Sequence, residues 1–155
     1  MEVPLLDLKR QYRYLKPEID RRLKTALDHQ QWIMGPEVRE LEDIIARYIG
    51  TKFAISVASG TDALVISLRA LAYQRTGRDF WTKTDEVITT PFTFAATADA
   101  ILRAGATPVF VDIDPLTFNI NPERVEKAVT KNTVGIIPVH LYGQACAMTE
   151  LREIA

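Results

Sequence analysis

The sequence predicts an α/β protein whose mainly parallel sheet carries helices on both faces. Short apolar runs alternate with segments of helical periodicity from residue 53 to the end of the chain. The segments between these runs are long enough for helical crossovers, which are the usual connection between parallel strands. Proline and glycine residues lie at the boundaries where helices and strands tolerate them. A sheet covered on both faces, preceded by helices, is the expected architecture.

Two helices are predicted ahead of the first strand. The first opens at Pro17, and the second opens at Pro36 and stops at Gly50, because proline suits a first helical turn and glycine suits the residue after the last one. Apolar residues at helical spacing define two core-facing sets: Ile19, Leu23, Ala26 and Leu27 in the first helix, and Val38, Leu41, Ile45 and Tyr48 in the second. Residues 1–50 therefore form an N-terminal arm with helices, and residues 51–155 form the α/β part.

Strands and helices alternate in that second part. The predicted strands span residues 53–58, 86–90, 107–112 and 133–139. The predicted helices span residues 60–73, 94–104 and 122–129, and a last one begins near residue 148. Residues 74–84 are charged and lack periodicity, which predicts a surface loop held in place by Phe80 and Trp81.

The turn Ser59-Gly60-Thr61 carries the first indication of chemistry. Ser59 and Asp62 have the spacing of a capping box, and Gly60 lets the backbone approach a ligand closely. Free amide groups at a helix start bind anions, because the positive end of the helix dipole also lies there. Two interpretations remain open from these residues alone: the Gly60 and Thr61 amides and the Thr61 hydroxyl bind a phosphate, or the turn is an ordinary helix cap.

Three more turns are predicted at the same edge of the sheet. In open parallel sheets, ligands bind beyond the carboxyl ends of the strands. The turns at those ends are residues 59–61, 91–94, 112–114 and 140–144, and we expect them to meet at one site. His140 within the last turn is either a hydrogen-bonding site residue or a histidine satisfied inside the core.

Composition excludes several classes of function. Nineteen basic and twenty acidic residues without long runs of either sign give no electrostatic surface for nucleic acid or anionic membrane. Residues 1–10 lack the apolar core of a signal peptide, and no apolar run approaches the roughly 20 residues that span a bilayer, which predicts a cytoplasmic protein. Cys146 is the only cysteine, and a lone thiol is more often a small buried residue than a nucleophile.

Asp112 and Asp114 suggest a different chemistry. Two carboxylates one residue apart at a strand end can bind a divalent metal, as in phosphatases of the haloacid-dehalogenase type and in nucleotide-sugar glycosyltransferases. The phosphatase pattern has threonine where this chain has Leu116. The simpler interpretation is that Asp114 and Pro115 begin a turn. The nucleotide-binding pattern G-x-G-x-x-G, the P-loop and the nucleophile elbow G-x-S-x-G do not occur.

Six blocks in a fixed order carry a family resemblance. They lie in residues 5–11, 34–42, 59–64, 85–94, 105–114 and 138–144, and two of them read Ser59-Gly60-Thr61-Asp62-Ala63-Leu64 and Pro138-Val139-His140-Leu141-Tyr142-Gly143-Gln144. Together they resemble the DegT/DnrJ/StrS family of sugar-nucleotide aminotransferases, which depend on pyridoxal phosphate. The resemblance implies an aspartate-aminotransferase-like large domain (PLP fold type I), of which these 155 residues are an incomplete part.

The resemblance also implies site residues. Gly60 and Thr61, with Ser59, would hold the phosphate of the cofactor, and Phe94 would stack on its pyridine ring. From the residues alone, Phe94 could instead be a core aromatic at a helix start. His140 and Gln144, and more remotely Gln11 and Trp32, would bind substrate. The last two would serve the site of the partner in a homodimer.

The implied reaction is transfer of an amino group, with glutamate as donor, to a keto-sugar nucleotide. Such reactions belong to the biosynthesis of deoxyaminosugars for surface polysaccharides or antibiotics. The family's lysine that binds the cofactor and its aspartate that pairs with the pyridinium nitrogen lie beyond Ala155. No catalytic residue and no metal site are therefore expected within residues 1–155, and this segment alone should be inactive. Some relatives carry histidine in place of the lysine and act as sugar dehydratases, so this alternative stays open.

Overall fold

A computed structural model describes residues 5–155. Of residues 1–10, which lack the apolar core of a signal peptide, the first four lie outside the described part. The described chain forms two compact units, one up to Ser56 and one from Val57 onward. The first unit contains helices α1 (Leu8–His29) and α2 (Pro36–Ile49). The second contains α3 (Gly60–Thr76), β1 (Glu86–Thr89), α4 (Ala96–Arg103), β2 (Thr107–Phe110), α5 (Pro122–Ala128), β3 (Thr133–Ile136), a short 3₁₀ turn (Leu141–Gly143) and α6 (Met148–Ile154).

Helix α1 begins nine residues before Pro17, so the predicted start at that proline is wrong. The side chain of Asp7 caps the helix by accepting a hydrogen bond from the Arg10 amide at 2.9 Å. Pro17 lies inside the helix, where it removes one amide donor from the first half of a 22-residue element. The cap at Asp7, rather than the proline, determines where the helix starts.

Helix α2 has the predicted limits, with Pro36 in its first turn and Gly50 as its left-handed C-cap. None of the predicted core positions on α1 and α2 is fully buried in the described chain. Tyr48, for example, is 83% exposed, and Ala46 is the buried residue of α2. Helical periodicity identifies an apolar face, but it does not supply a neighbouring surface to cover that face.

The connection between α1 and α2 is fixed by His29. Its Nδ1 accepts a hydrogen bond from the Gln31 amide at 3.0 Å, so Nε2 carries the ring hydrogen and donates it to the Glu37 carboxylate at 2.7 Å. This hydrogen bond lowers the pKa of Glu37. Arg22 of α1 also pairs with Glu40 of α2, and together the two contacts tie the helices to each other.

The second unit confirms the predicted fold class. Its three strands are all parallel in the order β2-β1-β3, with Ile88 opposite Val109 on one side and Ile136 on the other. Two fully buried neighbours on β1 point to opposite faces: Val87 packs with α3 and α4, and Ile88 packs against residues of α5 and α6. Helices therefore cover both faces of the sheet.

The predicted first strand, residues 53–58, is not a strand. It pairs with no strand in the described part of the chain, and Ile55 is 81% exposed. Its backbone finds a different partner, because the Ser56 amide donates to the Glu42 carboxylate at 2.7 Å. An apolar run has strand character in the sequence, but it becomes a strand only where a second strand accepts its hydrogen bonds.

The predicted loop 74–84 is shorter than expected, because α3 continues to Thr76. Trp81 is not a surface residue: only 5% of it is exposed, and its indole N–H donates to the Leu68 carbonyl at 2.9 Å. Phe80 stays half exposed, with the Arg69 guanidinium 4.1 Å from the ring centre. The two aromatic residues hold the loop as predicted, Trp81 from within the core.

Candidate functional site

The starts of α3 and α4 lie at the carboxyl edge of the sheet. At the other end of α3, Arg75 donates to the carbonyl of Val134, near the start of β3, at 3.1 Å. The end of α4 is likewise at the amino edge, because β2 begins shortly after it. Both helices therefore run against the strand direction. This places residues 59–61 and Phe94 beyond the strands' carboxyl ends, where ligands bind in such sheets.

Direct contacts join the other predicted turns at this edge. The rings of Phe92 and Phe118 lie 6.2 Å apart, which connects the turn after β1 with the loop after β2. The amide nitrogen of Asn119 donates to the carbonyls of Gln144 at 3.3 Å and Ala145 at 3.0 Å, which connects that loop with the turn after β3. These contacts bring the turns after β1 and β3 to the loop after β2, through residues 118 and 119 of that loop and not through the predicted 112–114.

The turn before α3 presents unused donors. Within the described residues, the amide groups of Gly60 and Thr61 donate to no protein acceptor. A Cβ atom built on Gly60 would meet nothing within 4 Å, so the space beside this backbone is open. An open turn with two free amides at the positive end of a 17-residue helix has the properties of an anion site.

Ser59 differs from Gly60 and Thr61, because its side chain is already hydrogen-bonded. Its Oγ accepts a hydrogen bond from the Asp62 amide at 3.1 Å and donates its hydrogen to the Asp62 carboxylate at 2.8 Å. The predicted capping box is thus present on the serine side. The carboxylate binds the hydroxyl instead of reaching back to the Ser59 amide. The only hydrogen of this hydroxyl is already used.

Phe94 lies outside the core. Helix α4 begins at Ala96, two residues later than predicted, and the Phe94 carbonyl accepts a hydrogen bond from the Thr97 amide at 3.1 Å. The Phe94 side chain is 80% exposed, which contradicts the alternative of a core aromatic. Its ring is available to a flat ligand at the carboxyl edge.

His140 is exposed and held in one tautomer. Its Nδ1 accepts a hydrogen bond from the Cys146 amide at 3.1 Å, so Nε2 carries the ring hydrogen as a donor. The alternative of a histidine satisfied inside the core is therefore wrong. Gln144, four residues later, lines a cavity of about 540 Å³ together with Asp114 and Asn119.

Gln11 and Trp32 belong to the first unit. Gln11 is an exposed residue in the first turns of α1, and Trp32 is exposed in the connection between α1 and α2. Their predicted role in the site of a partner subunit stays a prediction.

The alternative metal site at Asp112 and Asp114 does not form. Asp112 pairs with Arg124 at 2.9 Å. Asp114 accepts the amides of Leu116 at 2.8 Å and Thr117 at 2.9 Å, and these hydrogen bonds lower its pKa. Asp114 therefore builds the turn, as the simpler interpretation holds. In residues 5–155, no cluster of three or more histidine, cysteine or acidic side chains could hold a metal ion.

Cys146 and the lysines near the sheet have no place in this site. Cys146 is buried as predicted, and burial raises the pKa of its thiol, which disfavours the nucleophilic thiolate. Lys83 lies at the amino edge of the sheet, where its carbonyl accepts a hydrogen bond from the Thr107 hydroxyl at 2.7 Å. Lys131 precedes β3 and lies at the same edge. Both lysines therefore lie at the edge of the sheet opposite the candidate site.

Sequence reasoning missed Asn119. This residue is buried and joins two loops through its amide nitrogen, while its Oδ1 has no hydrogen-bond partner among the described residues. The sequence contained only a weak signal: a polar residue between the apolar Phe118 and Ile120 in a segment without secondary-structure periodicity. Its two acceptors lie 25 and 26 residues further along the chain, a distance at which local patterns carry no information.

A sequence profile of the DegT/DnrJ/EryC1/StrS aminotransferase family matches residues 13–155. The chain belongs to this family. It is 51% identical over 155 residues to a pleiotropic regulatory protein of Geobacillus stearothermophilus, covering 100% of this chain and 40% of that protein. It is 45% identical over 153 residues to UDP-2-acetamido-2-deoxy-3-oxo-D-glucuronate aminotransferase of Pseudomonas aeruginosa, covering 99% of this chain and 40% of that protein.

Solved structures of family members share the fold. NtdA from Bacillus subtilis, with the cofactor PMP bound, superposes with a TM-score of 0.86 at 35% identity, over 99% of this chain and 34% of that one. GDP-4-keto-6-deoxy-D-mannose-3-dehydratase from E. coli, with hydrated PLP bound, gives a TM-score of 0.78 at 31% identity, over 86% of this chain and 34% of that one. The chain spans about 40% of the length of the curated relatives cited above.

None of the described helices has the length and apolar character that crossing a membrane requires.

Proposed function

We propose that this chain is the first part of the cofactor-binding domain of a sugar aminotransferase that depends on pyridoxal phosphate. The protein would transfer an amino group from glutamate to a keto-sugar nucleotide. Besides the family membership, one structural observation supports this proposal. The free amides of Gly60 and Thr61 lie at the same edge of the sheet as the exposed ring of Phe94. A phosphate and a flat ring are the two parts of this cofactor that a protein can hold in this way.

The residues present fit the cofactor. The Gly60 and Thr61 amides and the Thr61 hydroxyl, which donates to no described residue, would bind the phosphate, with Ser59 beside them. Phe94 would lie against the pyridine ring and fix its plane. When bound, the cofactor supplies the electron-withdrawing ring on which amino-group transfer depends. The contribution of this part of the chain is to bind and orient that ring.

Substrate recognition is proposed for the turn after β3. The Nε2–H of His140 would donate to an oxygen of the keto-sugar nucleotide, because the Cys146 amide holds the ring in the tautomer that makes this donor available. The side-chain amide of Gln144 offers both a donor and an acceptor for sugar hydroxyl groups. Gln11 and Trp32 would complete the site of a partner in a cytoplasmic homodimer. The residues that carry out the proton transfers are proposed to lie outside residues 1–155.

A sugar dehydratase is the second candidate. The specific reason is the likeness to the E. coli GDP-4-keto-6-deoxy-D-mannose-3-dehydratase, which binds the same cofactor on the same fold. Both candidates need the phosphate turn and the Phe94 ring. They differ in whether the bound cofactor accepts nitrogen from glutamate and passes it to the sugar.

A spectroscopic assay on the full-length protein tests the proposal. An aminotransferase is expected to show the visible absorption band of bound pyridoxal phosphate, to lose this band on addition of glutamate and to regain it with a keto-sugar nucleotide. A dehydratase would consume the sugar without forming an aminosugar. Failure to bind pyridoxal phosphate at all would contradict both candidates.

Replacing Phe94 is expected to weaken cofactor binding. In Phe94→Leu, loss of the aromatic face should raise the Kd of pyridoxal phosphate about two- to tenfold, since an aromatic pair contributes about 0.5–1.5 kcal/mol beyond its buried area. Phe94→Tyr keeps the ring and should bind nearly as wild type. Fluorescence titration of the full-length apoprotein measures both variants.

Phe92→Leu is the matched control for that experiment. Phe92 lies two residues away and packs near Phe118, so its loss should reduce stability more than it changes cofactor affinity. Equal Kd values for pyridoxal phosphate in wild type and Phe94→Leu would show that Phe94 does not contact the cofactor.

A further inference from the structure

Asp62 lies in the first turn of α3, immediately beside the proposed phosphate turn. Its carboxylate accepts a hydrogen bond from the Ser59 hydroxyl, with 2.8 Å between the oxygens. The backbone amide of Asp62 donates to the Oγ of Ser59 at 3.1 Å. A serine hydroxyl has a single hydrogen. While Asp62 holds that hydrogen, Ser59 can offer an incoming ligand only lone pairs, and lone pairs repel an anion.

The charge of Asp62 has a second effect. A carboxylate in the first helical turn interacts favourably with the positive end of the helix dipole, and a bound phosphate would use the same feature. The two negative groups therefore compete for one electropositive helix start. Gly60 and Thr61, in contrast, offer amides that no described residue uses.

We propose that Asp62 is a positioning residue of the phosphate turn, and that its charge sets how weakly the turn binds a phosphate on its own. It keeps the Ser59 hydroxyl directed away from the ligand, so the phosphate is bound by the Gly60 and Thr61 groups. Its charge lowers the affinity of the turn for a phosphate on its own. The turn then retains a phosphate group tightly only when it is attached to a ring that Phe94 can hold. This inference rests on the proposed function, because it concerns the same site.

Weak binding of a phosphate on its own is useful in an enzyme whose substrate also carries phosphates. A turn that bound any phosphate tightly would also bind inorganic phosphate and the diphosphate of a sugar nucleotide. Because like charges destabilise binding wherever both are present, Asp62 weakens all of these ligands to a similar degree. The cofactor stays bound because Phe94 also contacts its ring, whereas a phosphate without such a ring makes no second contact that offsets the repulsion.

The test measures binding of inorganic phosphate to the full-length apoprotein. Asp62→Asn keeps the size and both hydrogen-bonding positions of the side chain but removes its charge. Phosphate affinity, measured by calorimetry, is expected to rise about three- to tenfold at low salt, the effect of one like charge near a site of surface-type dielectric. The gain should shrink at high ionic strength. A purely structural role of Asp62 predicts unchanged or weaker binding at every salt concentration, and that result would overturn the proposal.

Further variants keep the test decisive. Asp62→Ala removes the same charge and should also increase phosphate affinity if Asp62→Asn folds poorly. Glu126→Gln, an exposed change on α5, removes an equal charge elsewhere and should leave phosphate affinity unchanged. Thr61→Val removes a proposed ligand of the phosphate and should bind inorganic phosphate more weakly than the wild type. A gain of phosphate affinity in Glu126→Gln as large as that in Asp62→Asn would show an effect of net charge alone and overturn the proposal.

The same samples separate this inference from the proposed function. Wild-type protein that binds neither inorganic phosphate nor pyridoxal phosphate would contradict the proposed function itself. Wild-type protein that binds pyridoxal phosphate, together with an Asp62→Asn variant of unchanged phosphate affinity, would contradict only the role of Asp62.

Discussion

Gly105→Ala is expected to destabilise the protein by about 3 kcal/mol, because it combines backbone strain with a steric clash. Gly105 has φ +92°, a conformation that residues with a side chain rarely adopt. A Cβ atom at this position would lie 2.4 Å from the carbonyl oxygen of Trp81. That carbonyl cannot move freely, since the Trp81 amide is bound to the Ala104 carbonyl at 3.0 Å and its indole to Leu68.

Gly77→Ala is the control for this prediction. Gly77 has φ +71°, but a Cβ atom there meets nothing within 4 Å. Only the strain of the left-handed conformation remains, which costs about 1 kcal/mol. Urea unfolding of the two variants beside the wild type gives both values. Similar losses for Gly105→Ala and Gly77→Ala would show that the contact with Trp81 does not constrain the loop.

Ile101→Ala is expected to cost about 3 kcal/mol of unfolding free energy, within the range for large-to-small changes in a closed core. Ile101 is fully buried in the cluster that joins α3 and α4 to the sheet, with Val87 and Leu68 among its members. Its removal leaves a cavity that the neighbouring helices cannot fill without moving. Thermal and urea unfolding measure the loss.

Leu102→Ala gives the matched comparison, because Leu102 is the next residue of the same helix and is 60% exposed. Its truncation should change stability by no more than about 0.5 kcal/mol, the usual range for surface substitutions. The difference between the two variants isolates the effect of burial from that of helix propensity. A Leu102→Ala loss equal to that of Ile101→Ala would mean that a surface not seen in these 155 residues covers Leu102.

Local signals in the sequence were sufficient for most of the second unit. The three paired strands begin at the predicted residues, because each is a short apolar run bounded by polar or breaking residues. Helix α5 has the predicted cap, in which the Asn121 side chain accepts from the Arg124 amide at 3.2 Å. These features depend on residues within one or two turns of each other, and that is the distance over which sequence patterns are informative.

The errors concern partners that lie far apart in the chain. Residues 53–58 have the composition of a strand, but strand formation depends on a neighbour that composition cannot reveal. The charged residues around Trp81 predict a surface loop but not the depth of its ring, because its indole binds the Leu68 carbonyl 13 residues earlier.

In the candidate site too, features that depend on nearby residues could be predicted, and features that depend on side-chain geometry could not. The capped turn at Ser59, the glycine beside it and the aromatic residue at position 94 could all be predicted from local patterns and the family resemblance. The direction of the Ser59 hydroxyl could not, because a capping box allows the acidic side chain to reach either the backbone or the serine. Likewise, the tautomer of His140 depends on the Cys146 amide, which a turn brings close to the ring.

The strand order β2-β1-β3 has a consequence for how the protein assembles during synthesis. The central strand leaves the ribosome before both of its neighbours, so each later strand adds to an edge that is already present. Between β1 and β2 only α4 and two short turns must first be made, which keeps the first crossover short. Within residues 5–155, the three strands can therefore pair in the order of translation, without holding an early strand unpaired until a distant one emerges.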